Sequence, residues 1–160
     1  MMSLQTIFLL SSFLYPQKIY ASAETSLKKS IEDPYKNWVV AVHSSNPLVS
    51  LSKVELRRIL LKQKLFWSEN NRAVPLFLEP SHEKFNEFSR LFLGFNSSQY
   101  PRFWIEQKFT KGLTKPKEGD VSSLIKLIGI LKGAIAVIPE KEWNKLERPS
   151  VKSIKLISNE

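Results

Sequence analysis

NWVVAVHSSNPLVSLSKVELRRIL, residues Asn37 to Leu60, decides the fold class. Val39, Val40, Ala41 and Val42 form a short, mostly β-branched apolar run, the pattern of a strand covered on both faces. His43-Ser44-Ser45-Asn46-Pro47 ends it with turn chemistry. Ser52 then stands three residues before Glu55, a capping-box spacing. Leu56, Ile59 and Leu60 follow at helical spacing, with Arg57, Arg58 and Lys62 on the opposite, solvent side. A strand running through a Ser-rich turn into a helix is where α/β proteins hold small ligands, which makes Ser44 and Ser45 candidate ligand-binding residues.

A second strand-to-helix junction follows. Val74–Leu78 reads as a strand, Glu79-Pro80-Ser81-His82-Glu83 as its turn, and Glu83–Leu93 as an amphipathic helix. Phe85, Phe88, Leu91 and Phe92 face inward and Gly94 is placed as a C-terminal cap. Free N–H groups and a hydroxyl at a helix start suit an anion, so Ser81 and His82 join the candidate site. Plain N-capping is the commoner role for such a serine. Downstream, the pattern predicts helices over Gln99–Phe109 and Val121–Leu131 and a strand over Ala134–Ile138. Val151–Ile157 is expected as a last strand at the sheet edge. Phe103, Trp104 and Phe109 are assigned to the core, and Trp67 with them.

This stretch resembles the second lobe of the periplasmic phosphate-binding proteins of ABC transporters. The resemblance rests on Asn46-Pro47, then Leu51-Ser52-Lys53-Val54-Glu55-Leu56-Arg57-Arg58-Ile59-Leu60, then Lys62 and Trp67. Val74-Pro75-Leu76-Phe77 follows in order. Next come Phe92-Leu93-Gly94 with Tyr100, Phe103-Trp104 and Phe109, and finally Gly133-Ala134-Ile135-Ala136-Val137-Ile138-Pro139. It implies a three-layer α/β lobe, a mixed sheet flanked by helices. It also implies non-enzymatic binding of phosphate or another small oxyanion. The family's junction after the second strand carries an arginine and a Gly-Ser-Gly-Thr run. Here only Ser81 matches, the arginine is absent and Glu79 adds a negative charge. A carboxylate about 4–6 Å from a bound anion repels it. The family clamps its ligand between two lobes, and this chain corresponds to one.

Residues 1–23 read as a secretory signal peptide, 24–36 as a flexible leader and 37–160 as the α/β domain. The signal reading rests on the apolar core Ile7–Leu14 and on Ala21-Ser22-Ala23 before Glu24. The core is too short to span a bilayer, which takes about 20 residues; an uncleaved interfacial anchor is the alternative. Export places the protein in the periplasm, with no stable membrane insertion after cleavage. Twenty-four Lys and Arg against 15 Asp and Glu give a net charge of +9, which favours anionic partners in general. The bases are dispersed, and nucleic acid is not expected as a partner.

No cysteine is present, so disulfide and thiol chemistry are excluded. His43 and His82 with Glu79 or Glu83 make a zinc set only if two strand ends meet, and no metal or other cofactor is expected. No nucleophile or nucleotide motif supports an enzyme. Two functions remain. One is a secreted solute-binding-like protein with an oxyanion ligand. The other is an interaction module of the cell envelope, serving a sensor, porin or transporter with no small ligand.

Overall fold

The computed structural model describes residues 33–158. The expected signal peptide and most of the expected leader therefore lie outside the described residues.

Val40, Ala41 and Val42 are all buried, so β1 (Trp38–His43) is covered on both faces, as its unbroken apolar run requires. The same holds for β7 (Ala134–Pro139), buried along its whole length. These two strands pair antiparallel at the sheet centre, with Val40 opposite Val137 and Ala41 opposite Ala136. The remaining strands of this sheet are β2 (Ser50–Ser52), β5 (Val74–Leu78), β6 (Lys117–Gly119) and β8 (Val151–Ile157). Their order is β2-β8-β1-β7-β5-β6. Pairings β2–β8, β7–β5 and β5–β6 are parallel, while β1 is antiparallel to both its neighbours. The sheet is mixed and flanked by helices, the expected class. β8 is not the edge strand predicted for it: the three-residue β2 lies outside it. A separate hairpin joins β3 (Phe66–Ser68) to β4 (Asn71–Arg72).

Helix α1 (Lys53–Leu60) begins where the capping pattern places it, and the Ser52 hydroxyl accepts the Glu55 N–H at 3.1 Å. Only half of the capping box forms, because the Glu55 carboxylate turns to Lys64 at 2.6 Å. The other helices are α2 (Phe85–Phe88), α3 (Tyr100–Lys111), α4 (Val121–Ile130) and α5 (Glu140–Trp143). α4 lies along β1, β7, β5 and β6.

The single helix expected over Glu83–Leu93 is broken. Four α-helical residues, Phe85–Phe88, run into a π-helical turn over Ser89–Leu93. Buried Ser89 donates its hydroxyl to the Phe95 carbonyl at 2.7 Å, and the Gly94 N–H reaches back to the Ser89 carbonyl. Widening the turn in this way is how a π-bulge absorbs an extra residue. Gly94 caps it with φ +87, as the sequence predicts. A Cβ there would meet only the movable Arg57 guanidinium, so it is the positive φ that calls for glycine. Arg57 is exposed, as expected of the solvent side, and its guanidinium also lies beside this turn, donating Nε to the Phe92 carbonyl at 3.3 Å.

Aromatic rings fill the space beneath this segment. Phe77 packs edge-on against Phe88 at 5.2 Å, and Phe85 against Tyr100 at 5.0 Å. Trp38 meets Phe92 at 5.4 Å and donates its indole N–H to Glu87 at 3.0 Å. Such edge-to-face pairs each add about 0.5–1.5 kcal/mol beyond area burial. Tyr100 and Trp104, four residues apart on α3, face this layer. Phe109 does not join it and is 83% exposed. Five residues beyond Trp104 is a rotation of about 140° away from the buried direction, so the core assignment for Phe109 fails on helical geometry. Trp67 is half-buried on the β3–β4 hairpin, its N–H donated to the Gly133 carbonyl at 2.9 Å.

Replacing Ser52 by Ala is expected to cost about 1 kcal/mol through the lost cap. Urea denaturation of both proteins checks this, and an unchanged midpoint would mean the cap contributes nothing.

Candidate functional site

The four candidate ligand residues fall into two separate turns. Ser44 and Ser45 follow β1, where their backbone donors are already used. The Ser44 N–H donates to the Ser150 carbonyl at 2.8 Å, and the Ser45 N–H to His43 Nδ1 at 3.0 Å. The Ser45 hydroxyl lies 2.7 Å from the same nitrogen. The next donor, the Asn46 N–H, returns to the His43 carbonyl. This turn is closed on itself, as short Ser/Asn turns are when side chains satisfy the backbone.

Ser81 and His82 follow β5. Because β7 is antiparallel to β1 and parallel to β5, the end of β1 and the end of β5 lie at opposite ends of the sheet. β7 also separates the two strands. Ser44 and Ser45 therefore cannot share a ligand with Ser81 and His82, nor can His43 and His82 share a metal. Among the described residues no group of three His, Asp or Glu is placed to hold a metal ion.

Ser81 is exposed and does not cap α2; Lys84 holds the cap position, with no side-chain hydrogen bond. His82 is committed elsewhere. Its Nδ1 accepts the Lys84 N–H at 3.1 Å, which in the neutral ring puts the proton on Nε2, 3.0 Å from a Glu142 carboxylate oxygen. The Glu79 N–H goes to the Gly119 carbonyl, the His82 N–H to the Glu79 carbonyl and the Phe85 N–H to the His82 carbonyl. Few donors remain for an anion.

The adjoining junction, from β6 into α4, is occupied by protein. Asp120 caps α4 and accepts the Ser123 N–H at 2.7 Å. Its carboxylate sits where an anion would meet a helix start. The bond from the Ser123 backbone holds the Asp120 carboxyl below the usual range, with the Ser123 hydroxyl adding to the effect. Together, Glu79, Glu83, Asp120, Glu140 and Glu142 make this end of the sheet rich in carboxylates.

A groove of about 450 Å³ opens beside Pro80, walled by Tyr100, Pro101, Trp104, Ile105 and Lys108. The Tyr100 hydroxyl donates to Glu118 at 2.6 Å, and Lys115 holds the other carboxylate oxygen at 2.7 Å. Burial, and then the bond to Glu118, pushes the Tyr100 phenol far above its ordinary range, so it stays protonated. The buried Trp104 N–H pulls the other way but lies outside hydrogen-bonding geometry with that hydroxyl. The aromatic run Tyr100–Trp104 is the only sequence signal for this groove.

The same arrangement of strands and helices occurs in solved transport proteins. An ABC-type phosphate transport receptor from Vibrio cholerae superposes with a TM-score of 0.56 at 16% identity, over 75% of this chain and 46% of that one. The chain has the fold of one lobe of a phosphate-binding protein. PstS from Borrelia burgdorferi gives 0.55 at 9% identity, over 75% and 47%. A Clostridium perfringens protein solved with bound phosphate gives 0.54 at 21% identity, over 75% and 44%. The chain thus spans less than half the length of these phosphate-binding-protein structures. No family model and no curated protein sequence matches it.

Asp120 supplies a pH test of the cap. Its folded pKa is lowered, so its stabilisation is complete above the unfolded aspartate value of about 4 and is lost as pH falls through the folded value. Asp120→Asn keeps a capping oxygen and loses the titration. Urea midpoints for the variant are expected to fall less steeply than wild type between about pH 4 and pH 2.5, below that unfolded value. Parallel profiles would show that this carboxylate is not the cap.

Proposed function

We propose that this chain is a non-enzymatic, solute-binding-protein-like module of the cell envelope that acts by contact with a partner protein, enclosing no solute at its strand ends. The observation that carries the reading is the Asp120 carboxylate on the N-terminus of α4. With His82 tied to Glu142 and with Glu79 beside Ser81, the strand-end face repels the anion that the fold's relatives bind. A lobe that cannot bury a ligand from two sides also loses most of the desolvation that gives affinity. Partner contact needs neither feature. Placement in the envelope rests on the signal reading of residues 1–23.

The rival reading keeps phosphate or another small oxyanion at Ser81. It is favoured by the exposed Ser81 hydroxyl and by the fold neighbour solved with phosphate. In that case Glu79 is the opposing charge. A third of the roughly 3–4 kcal/mol Coulomb term at an effective dielectric near 20 is about 1 kcal/mol, or several-fold in affinity.

Calorimetry of wild type, Glu79→Gln and Ser81→Ala with phosphate and with sulfate separates the two. Partner contact predicts that neither substitution changes the response to either anion. Tightening by Glu79→Gln together with weakening by Ser81→Ala would replace it by the oxyanion reading. A photo-crosslinking residue at position 79 or 140 should capture one discrete envelope protein in cells, and failure to capture any would count against the proposal.

Export makes its own prediction. The protein recovered from the periplasmic fraction should begin at Glu24. A soluble cytoplasmic pool retaining Met1 would refute export.

A further inference from the structure

At the other end of β5 from Ser81 lies a hollow of about 230 Å³ whose polar wall is entirely cationic. Lys62, Arg72 and Lys117 line it, with Leu65, Pro75 and Pro116 between them. No carboxylate lines it, and among the described residues none of the three cations makes an ion pair. Three lysines elsewhere meet acids, Lys64 with Glu55, Lys84 with Glu87 and Lys115 with Glu118, so what sets the hollow apart is three cations on one concavity with no carboxylate among them. Uncompensated like charges gathered in one concavity are electrostatically costly, so their placement calls for a counter-charge.

Lys62 is held there against its own preferences. It follows the C-cap of α1 with φ +57, the left-handed region where glycine normally closes a helix. A lysine in that position gives up backbone freedom, and its half-buried side chain lines the hollow. Nζ donates to the Thr114 carbonyl at 2.7 Å, which leaves two of its protons for a ligand. Burial first, and the nearby Arg72 second, lower the pKa of this ammonium. Both act against its charge, and the attraction of a bound anion would offset them.

The frame around the three cations is rigid. Arg72 belongs to β4, and its carbonyl oxygen would lie 1.9 Å from any Cβ on Gly133, so backbone packs on backbone there. The neighbouring Ala73 N–H is bonded to the Leu65 carbonyl at 2.8 Å. Lys117 opens β6, in register with Leu76 of β5. Pro75 and Pro116 stiffen the two approaches. An arginine fork and two ammonium groups lining one hollow make a donor set that a tetrahedral oxyanion can take through short charge-assisted hydrogen bonds.

We propose that Lys62, Arg72 and Lys117 form a binding site for a small tetrahedral oxyanion of the phosphate or sulfate type. The site is distinct from the strand-end face, and it stands whether or not that face meets a partner. The carboxylate-free hollow accepts the anion, with contacts from exposed Arg72 and Lys117 and from half-buried Lys62.

Titration of the purified protein with inorganic phosphate, and separately with sulfate, tests the site. Wild type is expected to bind both. Arg72→Gln and Lys117→Gln should each weaken binding roughly tenfold, the effect of losing one charge-assisted hydrogen bond. Arg72→Lys should recover part of the loss. Ser81→Ala and Glu79→Gln should leave it unchanged, which separates this site from the strand-end alternative. A second readout follows Lys62 itself: with its amine carrying an NMR-visible methyl label, its titration should move to higher pH on adding phosphate, and Lys126 should not respond. No binding to wild type, or binding indifferent to both Arg72→Gln and Lys117→Gln, would overturn the proposal. An unmoved Lys62 titration at saturating phosphate would overturn it as well.

Discussion

β1 is the one strand of the six-stranded sheet that runs against its neighbours, and the layout of both sheet ends depends on that reversal. It lies between β8 and β7, strands that come about a hundred residues later in the chain, so its ladder closes long loops. The entropy of such closure grows only slowly with length and is offset once Val40, Ala41, Val42, Ala136 and Val137 are out of water. With β1 reversed, its Ser-rich turn emerges where β5 begins, and the start of β1 lies beside the end of β7, with Trp38 opposite Pro139. Two turns that look alike along the chain are thereby sent to opposite ends of the molecule.

Charge follows the same division. The carboxyl ends of β5, β6 and β7 lead into segments carrying Glu79, Asp120 and Glu140, while the beginnings of β5 and β6 are bordered by Lys62, Arg72 and Lys117. A net charge of +9 conceals this separation entirely. The face on which phosphate-binding proteins would be expected to offer donors is acidic here, and the N–H groups of Glu79, His82, Lys84 and Ser123 are taken up internally. Lys62, Arg72 and Lys117 stand at the far end, while Lys145 is a cation beside Asp120 and Glu142 on the acidic one. A fold shared at 9–21% identity fixes the architecture and does not by itself transmit a ligand.

Local rules held where the cause was local. Ser52 caps α1 because the Ser hydroxyl and the Glu55 N–H are three residues apart on one turn. Gly94 ends its helix because only glycine takes φ +87 without strain. They failed where the deciding partner lies far along the chain. Arg57 is the solvated helix base that its spacing predicts, but its bond to the Phe92 carbonyl of the π-turn could not be read from its own helix. That turn is itself invisible in the Phe85–Phe92 pattern, since it depends on Ser89 reaching the Phe95 carbonyl. Phe109 looks like core by composition, and only the direction fixed by Tyr100 and Trp104 turns it outward.

The sequence by itself determined the class of the molecule: the buried strands β1 and β7, the capped helices and the likeness in fold to one lobe of phosphate-binding proteins. These follow from apolar run length, hydroxyl spacing and turn residues, all short-range properties. Tertiary structure alone decided that Ser44 and Ser45 lie away from Ser81 and His82, that His82 belongs to Glu142, and that Lys62, Arg72 and Lys117 converge. Strand direction and charge convergence are set by which segments pair across the whole chain, and no window of sequence contains that information.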